Sequence, residues 1–291
     1  MTLGTLRRAR LLTAVIVWAG IALAAGPDLG EARKLYNSTD FEGSLKILQS
    51  LPSKDGAAYE LIGRNYYMMT DYKKATEALE KAVTLEPSNA LYHLWLGRAW
   101  GRRAETSLPF TAPSHASKAR QNFEKSVELN PNNLDALADL FEYYLEAPGF
   151  LGGGMEKAEL TATRIGKLNP AEGQWAEAKI AEKRKEHSTV ESHLRQAVEL
   201  APQSVGRIMD LAKFLFGQGR YQEADQSFAR AEKIAPNSPA LIFGKAEAYV
   251  KAKRNLETAR ELLKRYMSLP LNAEDVPRAE AAKLLRQVKG E

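Results

Sequence analysis

Cysteine is absent from the 291 residues. That excludes disulfides, thiol nucleophiles, cysteine-held zinc and iron–sulfur clusters. Histidine is scarce: His93, His115, His187 and His193 are the only four, and none shows metal-ligand spacing. His187 and His193 miss the i, i+4 relation that a helical metal pair needs. No phosphate-cradling loop is present either, because Gly152-Gly153-Gly154 is not followed by Lys-Ser/Thr. Neither sign of charge dominates. Lys and Arg number 41 against 36 Asp and Glu, and three of the cations (Arg7, Arg8, Arg10) cluster at the N-terminus, so the remainder carries 38 − 36 = +2. A balanced, mixed-sign surface does not suit nucleic acid. With no nucleophile, base and orienting group in recognisable arrangement, the reading is of a protein that is not an enzyme and takes no metal and no cofactor.

Long apolar runs are equally sparse. The one that stands out, Leu11 to Ala25, follows the three arginines and closes on Ala22-Leu23-Ala24. A basic segment, an apolar segment and a small-residue end describe a secretory signal, here residues 1–25. About fifteen apolar residues fall short of the ~20 that span a bilayer. The expectation is therefore an exported protein, periplasmic or secreted, with an uncleaved inner-membrane anchor as the alternative.

What the sequence does have is a repeat. Pro87, Pro131, Pro170, Pro202 and Pro236 each follow an apolar run ending in Leu or Ile, as in Ala82-Val83-Thr84-Leu85-Glu86-Pro87 and Ala197-Val198-Glu199-Leu200-Ala201-Pro202. Proline cannot continue a helix, so each is expected to close one at the same phase of a unit. Subtracting successive positions gives intervals of 44, 39, 32 and 34, which centre on the period of helix-pair arrays. Within Gly56 to Asn89, Tyr59, Ile62, Gly63 and Tyr66 form an i, i+3, i+4, i+7 stripe. After a turn at Asp71-Tyr72, Ala75, Leu79 and Ala82 mark a second helix.

This alternation of small and large apolar residues resembles the tetratricopeptide repeat. Comparable units can be followed to Pro270, with a degenerate one before them carrying Ala32, Leu35, Phe41, Leu48 and Leu51. The resemblance implies an all-α, right-handed superhelical solenoid of about seven antiparallel helix hairpins over residues 26–272. A C-terminal capping helix within 273–291 would cover the last apolar face. Phe141 and Glu177 depart from the pattern, and Trp175 is left open between core and groove.

The resemblance also implies a role: a non-catalytic protein–protein interaction scaffold of the bacterial envelope, holding a peptide or partner segment in its concave groove. Residues off the packing stripe of the first helices would face that groove: Glu60, Arg64, Tyr67, Met68, Leu94, Arg98 and Arg102, then Lys213, Phe216, Phe243 and Glu247. Arginines beside a tyrosine and a methionine suit an acidic peptide, because guanidinium grips carboxylate in two places. The same arginines could equally be solubilising. Asn65 alone does not reproduce the two-lysine, two-asparagine clamp of chaperone-binding family members.

The first two intervals exceed the last by ten positions and by five, and both excesses fall between the helices of a unit. One is Gly101 to Pro113, with its flank to residue 117; the other is Glu146 to Gly154. Leu108, Pro109 and Phe110 sit on the first, Phe150 and Leu151 on the second. Either the two loops pack together and hide these tips, or they form a functional lip at the groove mouth. A small-ligand or glycan site would require Trp100, Phe110, Phe150 and Trp175 to converge on one cavity. A non-catalytic subunit of an enzyme complex is the remaining alternative.

Overall fold

A computed structural model describes residues 28–271 and 275–289; the expected signal at 1–25 lies outside them. Among the described residues there are fifteen α-helices, one 3₁₀ turn and no strand. Seven antiparallel hairpins follow in order. They are α1 (Leu29–Asn37) with α2 (Phe41–Ser50), α3 (Gly56–Met68) with α4 (Tyr72–Leu85), and α5 (Ala90–Glu105) with α6 (Ala112–Leu129). Then come α7 (Leu134–Glu146) with α8 (Met155–Leu168), α9 (Pro170–Lys183) with α10 (His187–Leu200), α11 (Val205–Gly217) with α12 (Tyr221–Ile234), and α13 (Pro239–Lys251) with α14 (Leu256–Ser268). The last helix, α15 (Arg278–Lys289), packs on α14 and α13 as a cap. No helix among the described residues is long and apolar enough to cross a membrane.

The helices begin where polar side chains can satisfy free backbone N–H groups. Asp28, Asp55, Asp71, Asn133 and Ser204 each accept a hydrogen bond from an N–H of the first turn that follows. They end on a recurring left-handed turn. Asp40 N–H donates to Leu35 O, Asp71 to Tyr66 O, Glu186 to Ala181 O, Arg220 to Leu215 O and Arg254 to Tyr249 O. In each case the residue before the donor has positive φ: Thr39, Thr70, Lys185, Gly219 and Lys253. This six-to-one closure reverses the chain within a hairpin. Four of the five positions lack glycine, so the sequence does not advertise the turn.

Packing inside the hairpins rests on small residues. A Cβ added at Gly63 of α3 would lie 2.4 Å from Leu79 Cγ of α4, so glycine at this point is what lets the wholly buried Leu79 come so close. Phe141, the expected misfit, is wholly buried, with its ring 5.7 Å from that of Trp175. Trp175 is itself 8% exposed and belongs to the core.

Two expectations need correction. The excess at Gly101–Pro113 is mostly helix: residues 101–105 extend α5, residues 112–117 open α6, and only 106–111 remain loop. Pro113 fits in the first turn of α6, where no N–H is needed. Second, Pro170 follows α8 but does not stand in a linker; it is the first residue of α9. Asn169 alone joins the two helices, its Oδ1 accepting from Ala171 and Glu172 N–H. Loss of the usual turn explains why the interval from Pro170 to Pro202 is the shortest of the four.

Candidate functional site

First helices of successive hairpins touch one another (α1 with α3, α3 with α5, α7 with α9, α11 with α13), whereas no two second helices pack comparably. The array therefore curves with its first helices inside. Charged residues along this inner wall are engaged with each other. Arg64 pairs with Glu60 at 3.1 Å, donates to Tyr36 Oη and lies 4.4 Å over the Trp95 ring. Arg98 of α5 meets Asp139 of α7 at 2.6 Å and also lies over Trp95, at 5.0 Å. Arg207 of α11 reaches Glu172 of α9 at 3.4 Å and its own helix's Asp210 at 3.2 Å. Lys213 of α11 reaches Glu247 of α13 at 3.4 Å. Each pair is modest in energy where half-exposed, but together they stitch neighbouring hairpins across the concave face.

This arrangement revises the expected groove. Arg64, Arg98 and Arg102 spend their guanidinium groups on the chain's own carboxylates and rings; Arg102 bonds Tyr72 Oη, Glu105 and Glu280. A ready acidic-peptide stripe is therefore not what they form. Met68 and Leu94, at 6% and 2% exposure, are core residues rather than groove residues, and Phe216, at 2%, is a core residue whose ring also borders the cavity described below. The reason is that an inner helix contacts its own partner and both neighbouring inner helices, so its buried face is wider than one stripe. Glu60 is buried as well, and burial pushes its carboxyl above the ordinary value despite Arg64. Tyr67 is half-buried, edge-on to Tyr72 and Trp95, and burial pushes its phenol up to about 12. Phe243 packs on Tyr266 of α14, ring centroids 5.3 Å apart.

The open space lies further along, at the C-terminal ends of α9, α11 and α13. A cavity of about 670 Å³ opens there. Val190, Leu194, Phe214 and Phe216 contribute apolar floor, while Lys179, Lys213, Lys251, Asp210 and Glu247 carry charge on its walls. Lys213 and Phe216 were expected near a groove; Lys179, Asp210, Lys251 and the α10 residues were not. Lys179 and Lys251 sit in the last turns of first helices, Asp210 midway along α11, Val190 near the start and Leu194 midway along the second helix α10, and only the paired hairpin geometry brings them together. Glu247 is held below the usual carboxylate range because Lys251 and Lys213 outweigh its burial.

Asp210 behaves oppositely. Burial raises its carboxyl pKa, and Arg207, Lys179 and Lys213 offset this only in part. Its buried Oδ2 has no hydrogen-bond partner, although Arg207 lies nearby. A raised folded-state pKa means the native chain binds the proton more readily than the unfolded chain. The charge thus costs stability at neutral pH, and the cost is relieved as pH falls through the folded pKa towards the ordinary ~3.9. Asp210→Asn is expected to be more stable than the parent at pH 7, with the advantage gone by about pH 3.5. Urea melts at four pH values would show it; an advantage that grows on acidification would reverse the assignment.

The two loops do not hide their tips. Leu108 is 63% exposed, Phe110 78% and Phe150 81%, while Leu151 is half-buried. The second loop is nevertheless well built: its 3₁₀ turn (Gly149–Leu151) is held by Tyr143 Oη donating to Leu151 O and by Lys157 Nζ donating to Gly152 O. Any Cβ at Gly153 would strike Ala147 O. Trp100 is core, under Lys118 at 4.0 Å, so it does not join Phe110, Phe150 and Trp175 in a shared pocket. His93 is structural, its ring nitrogens 2.9 Å from Asn122 Oδ1 and 3.0 Å from Pro87 O. No cluster of metal-binding side chains occurs among the described residues.

Comparisons with known proteins agree with this geometry. Residues 56–89 match one family model of the tetratricopeptide repeat, and residues 215–288 match another. No curated protein matches the chain significantly. A solved tetratricopeptide repeat protein from Parabacteroides merdae is 15% identical with a TM-score of 0.57, covering 90% of this chain and 97% of its own. A thermophilic TPR protein in Thermus thermophilus is 22% identical with a TM-score of 0.51, covering 67% of this chain and 99% of its own. At such identities the likeness concerns the fold alone. Domains of this kind mediate protein–protein interactions and are typically non-catalytic. With two segments that match tetratricopeptide repeat models and fourteen helices paired into hairpins between and beyond them, the chain carries tetratricopeptide repeats and folds as a tetratricopeptide-like helical stack.

Proposed function

We propose that the protein is a non-catalytic scaffold that takes a segment of a protein partner into the cavity at the ends of α9, α11 and α13. The observation that carries this is the cavity's make-up: an apolar floor large enough for one or two side chains, ringed by lysines and carboxylates that, Lys251 and Glu182 apart, are half-buried. Half-exposed pairs such as Lys213–Glu247 can exchange partners at small cost, so they can turn to a bound chain. A segment with an apolar anchor flanked by charges of either sign fits this lining; the arginine stripe nearer the N-terminus supports no acidic specificity. The basic and apolar stretch at residues 1–25 supports export, which would put the scaffold in a bacterial envelope.

Gly217 supplies a clean test. It lines the cavity, ends α11, and a Cβ built on it meets nothing within 4 Å. Gly217→Trp should fill the space without strain. Segments selected from a random peptide display library on the parent protein are expected to lose at least tenfold in affinity for this variant, with melting unchanged. Undiminished binding at unchanged stability would remove the cavity from the function.

A further inference from the structure

The two ends of the array meet. Arg278 of α15 donates from Nη1 to Thr39 Oγ1 in the turn of the first hairpin, 239 residues away, at 3.2 Å. Glu280, half a turn further, lies 3.4 Å from Arg102 of α5. Between these contacts the sides face each other across apolar residues: Phe41, Met68 and Met69 from the first two hairpins, Leu271, Val276 and Pro277 from the end of the chain. Helix pairs that only stacked one on the next would give no such contact. A coil of seven hairpins has come round far enough for its last helix to touch the turn of its first hairpin.

The far side of α15 is anchored differently. Arg278 also donates from Nε to Met267 O and from Nη2 to Leu269 O, which caps the carbonyl end of α14. Tyr266 Oη donates to Val276 O at 2.5 Å, and Tyr266 is wholly buried. Ala281 is fully buried, and Leu284, Leu285 and Val288 pack against the core of the last hairpins. The segment is thus fixed to the C-terminal hairpins by burial and several hydrogen bonds. Towards the N-terminal hairpins, its contacts among the described residues include a hydrogen bond to Thr39 and an ion pair with Arg102 whose partners are both more than a third exposed. The apolar faces there leave a space of about 240 Å³ instead of interlocking. Exposed ion pairs are weak and salt-sensitive.

We propose that residues 275–289 are a strap that closes the coil into a ring and sets the width of its inner channel, with the weak contacts to Thr39, Met69 and Arg102 as the point of release. The strap stays with the last hairpin when it lets go. The first three hairpins then swing away, and the channel opens to thicker partner segments. The closure itself does not depend on what the cavity holds, so it can fail or stand independently of the scaffold reading.

The absence of cysteine makes a distance measurement direct, since two introduced thiols would be unique. Spin labels at Glu42→Cys and Lys283→Cys, both exposed positions, should report one short, narrow distance in the full chain by double electron–electron resonance. Thr39→Gly with Met69→Glu removes the hydroxyl and charges the apolar gap, touching neither α14 nor α15. Thr39 has φ 63°, so glycine relieves rather than adds strain there. In that background the main distance should lengthen by roughly 10 Å or more, the width of a helix. High salt, which shrinks the range of charge interactions, should move the unsubstituted pair the same way. Far-UV circular dichroism should stay unchanged in both cases. A broad distance distribution in the parent at low salt would overturn the closed ring. An unaltered short distance in the variant would overturn these contacts as its release point.

Discussion

Trp95→Ala is expected to cost about 3–5 kcal/mol of folding stability, the range for emptying a buried tryptophan site. Trp95 is 4% exposed on α5. The guanidinium groups of Arg64 and Arg98 lie 4.4 and 5.0 Å over its ring, and Tyr67 meets it edge-on with centroids 5.6 Å apart. Arg64 comes from α3, and Arg98 continues the chain of contacts to Asp139 on α7. One indole therefore supports three consecutive hairpins on the concave side. Removing it leaves a cavity and uncovers two cations that are at most one-fifth exposed. Repeat arrays sum local stabilities and neighbour terms, so the loss should concentrate near this junction. Hydrogen exchange in α3 to α6 should accelerate far more than in α11 to α14, and urea melts should show the total. A loss at the scale of an ordinary surface substitution, or exchange that quickens evenly along the chain, would mean the inner wall does not depend on this ring.

The helices and their pairing could be read from the sequence because period-3.6 stripes and closing prolines are local signals. Ala75, Leu79 and Ala82, or Ala224, Phe228 and Ala231, lie in the core just where their spacing puts them. The site was harder to read. Leu94 and Phe216 lie off the stripe in sequence and still end up buried, because a curved array presses its inner helices together and widens their covered faces. Arg98 looks like a free cation until Asp139, 41 residues on, is brought beside it. No periodicity encodes that meeting, nor the one between Arg278 and Thr39, since both depend on how much the stack turns per hairpin. Long insertions misled for a simpler reason. Of the extra chain at residues 101–117, residues 101–105 extend one helix and residues 112–117 open the next, leaving 106–111 around Pro109 as loop, whereas Gly152 to Gly154 stayed wholly outside helix.

A close helix crossing makes the second large prediction, and it comes as a pair of opposite signs. Helices α8 and α9 are joined through Asn169 alone, and they cross at Gly166 and Gly173. A Cβ at Gly173 would lie 2.4 Å from Gly166 Cα and 3.1 Å from its N, and backbone atoms cannot rotate aside. Gly173→Ala should therefore destabilise by the upper part of the about 1–3 kcal/mol that overpacking costs. The helix-propensity gain of ~1 kcal/mol offsets only part of it. Gly166→Ala looks the same on paper, yet its Cβ would meet Gly173 Cα at 3.5 Å, an ordinary contact. Here the propensity gain should prevail, leaving the variant as stable as the parent or more so. Thermal melts of the two single variants side by side decide the matter. Equal destabilisation would show that the crossing is looser than the backbone distances require, and Asn169, not the glycine pair, would then be what permits the sharp turn.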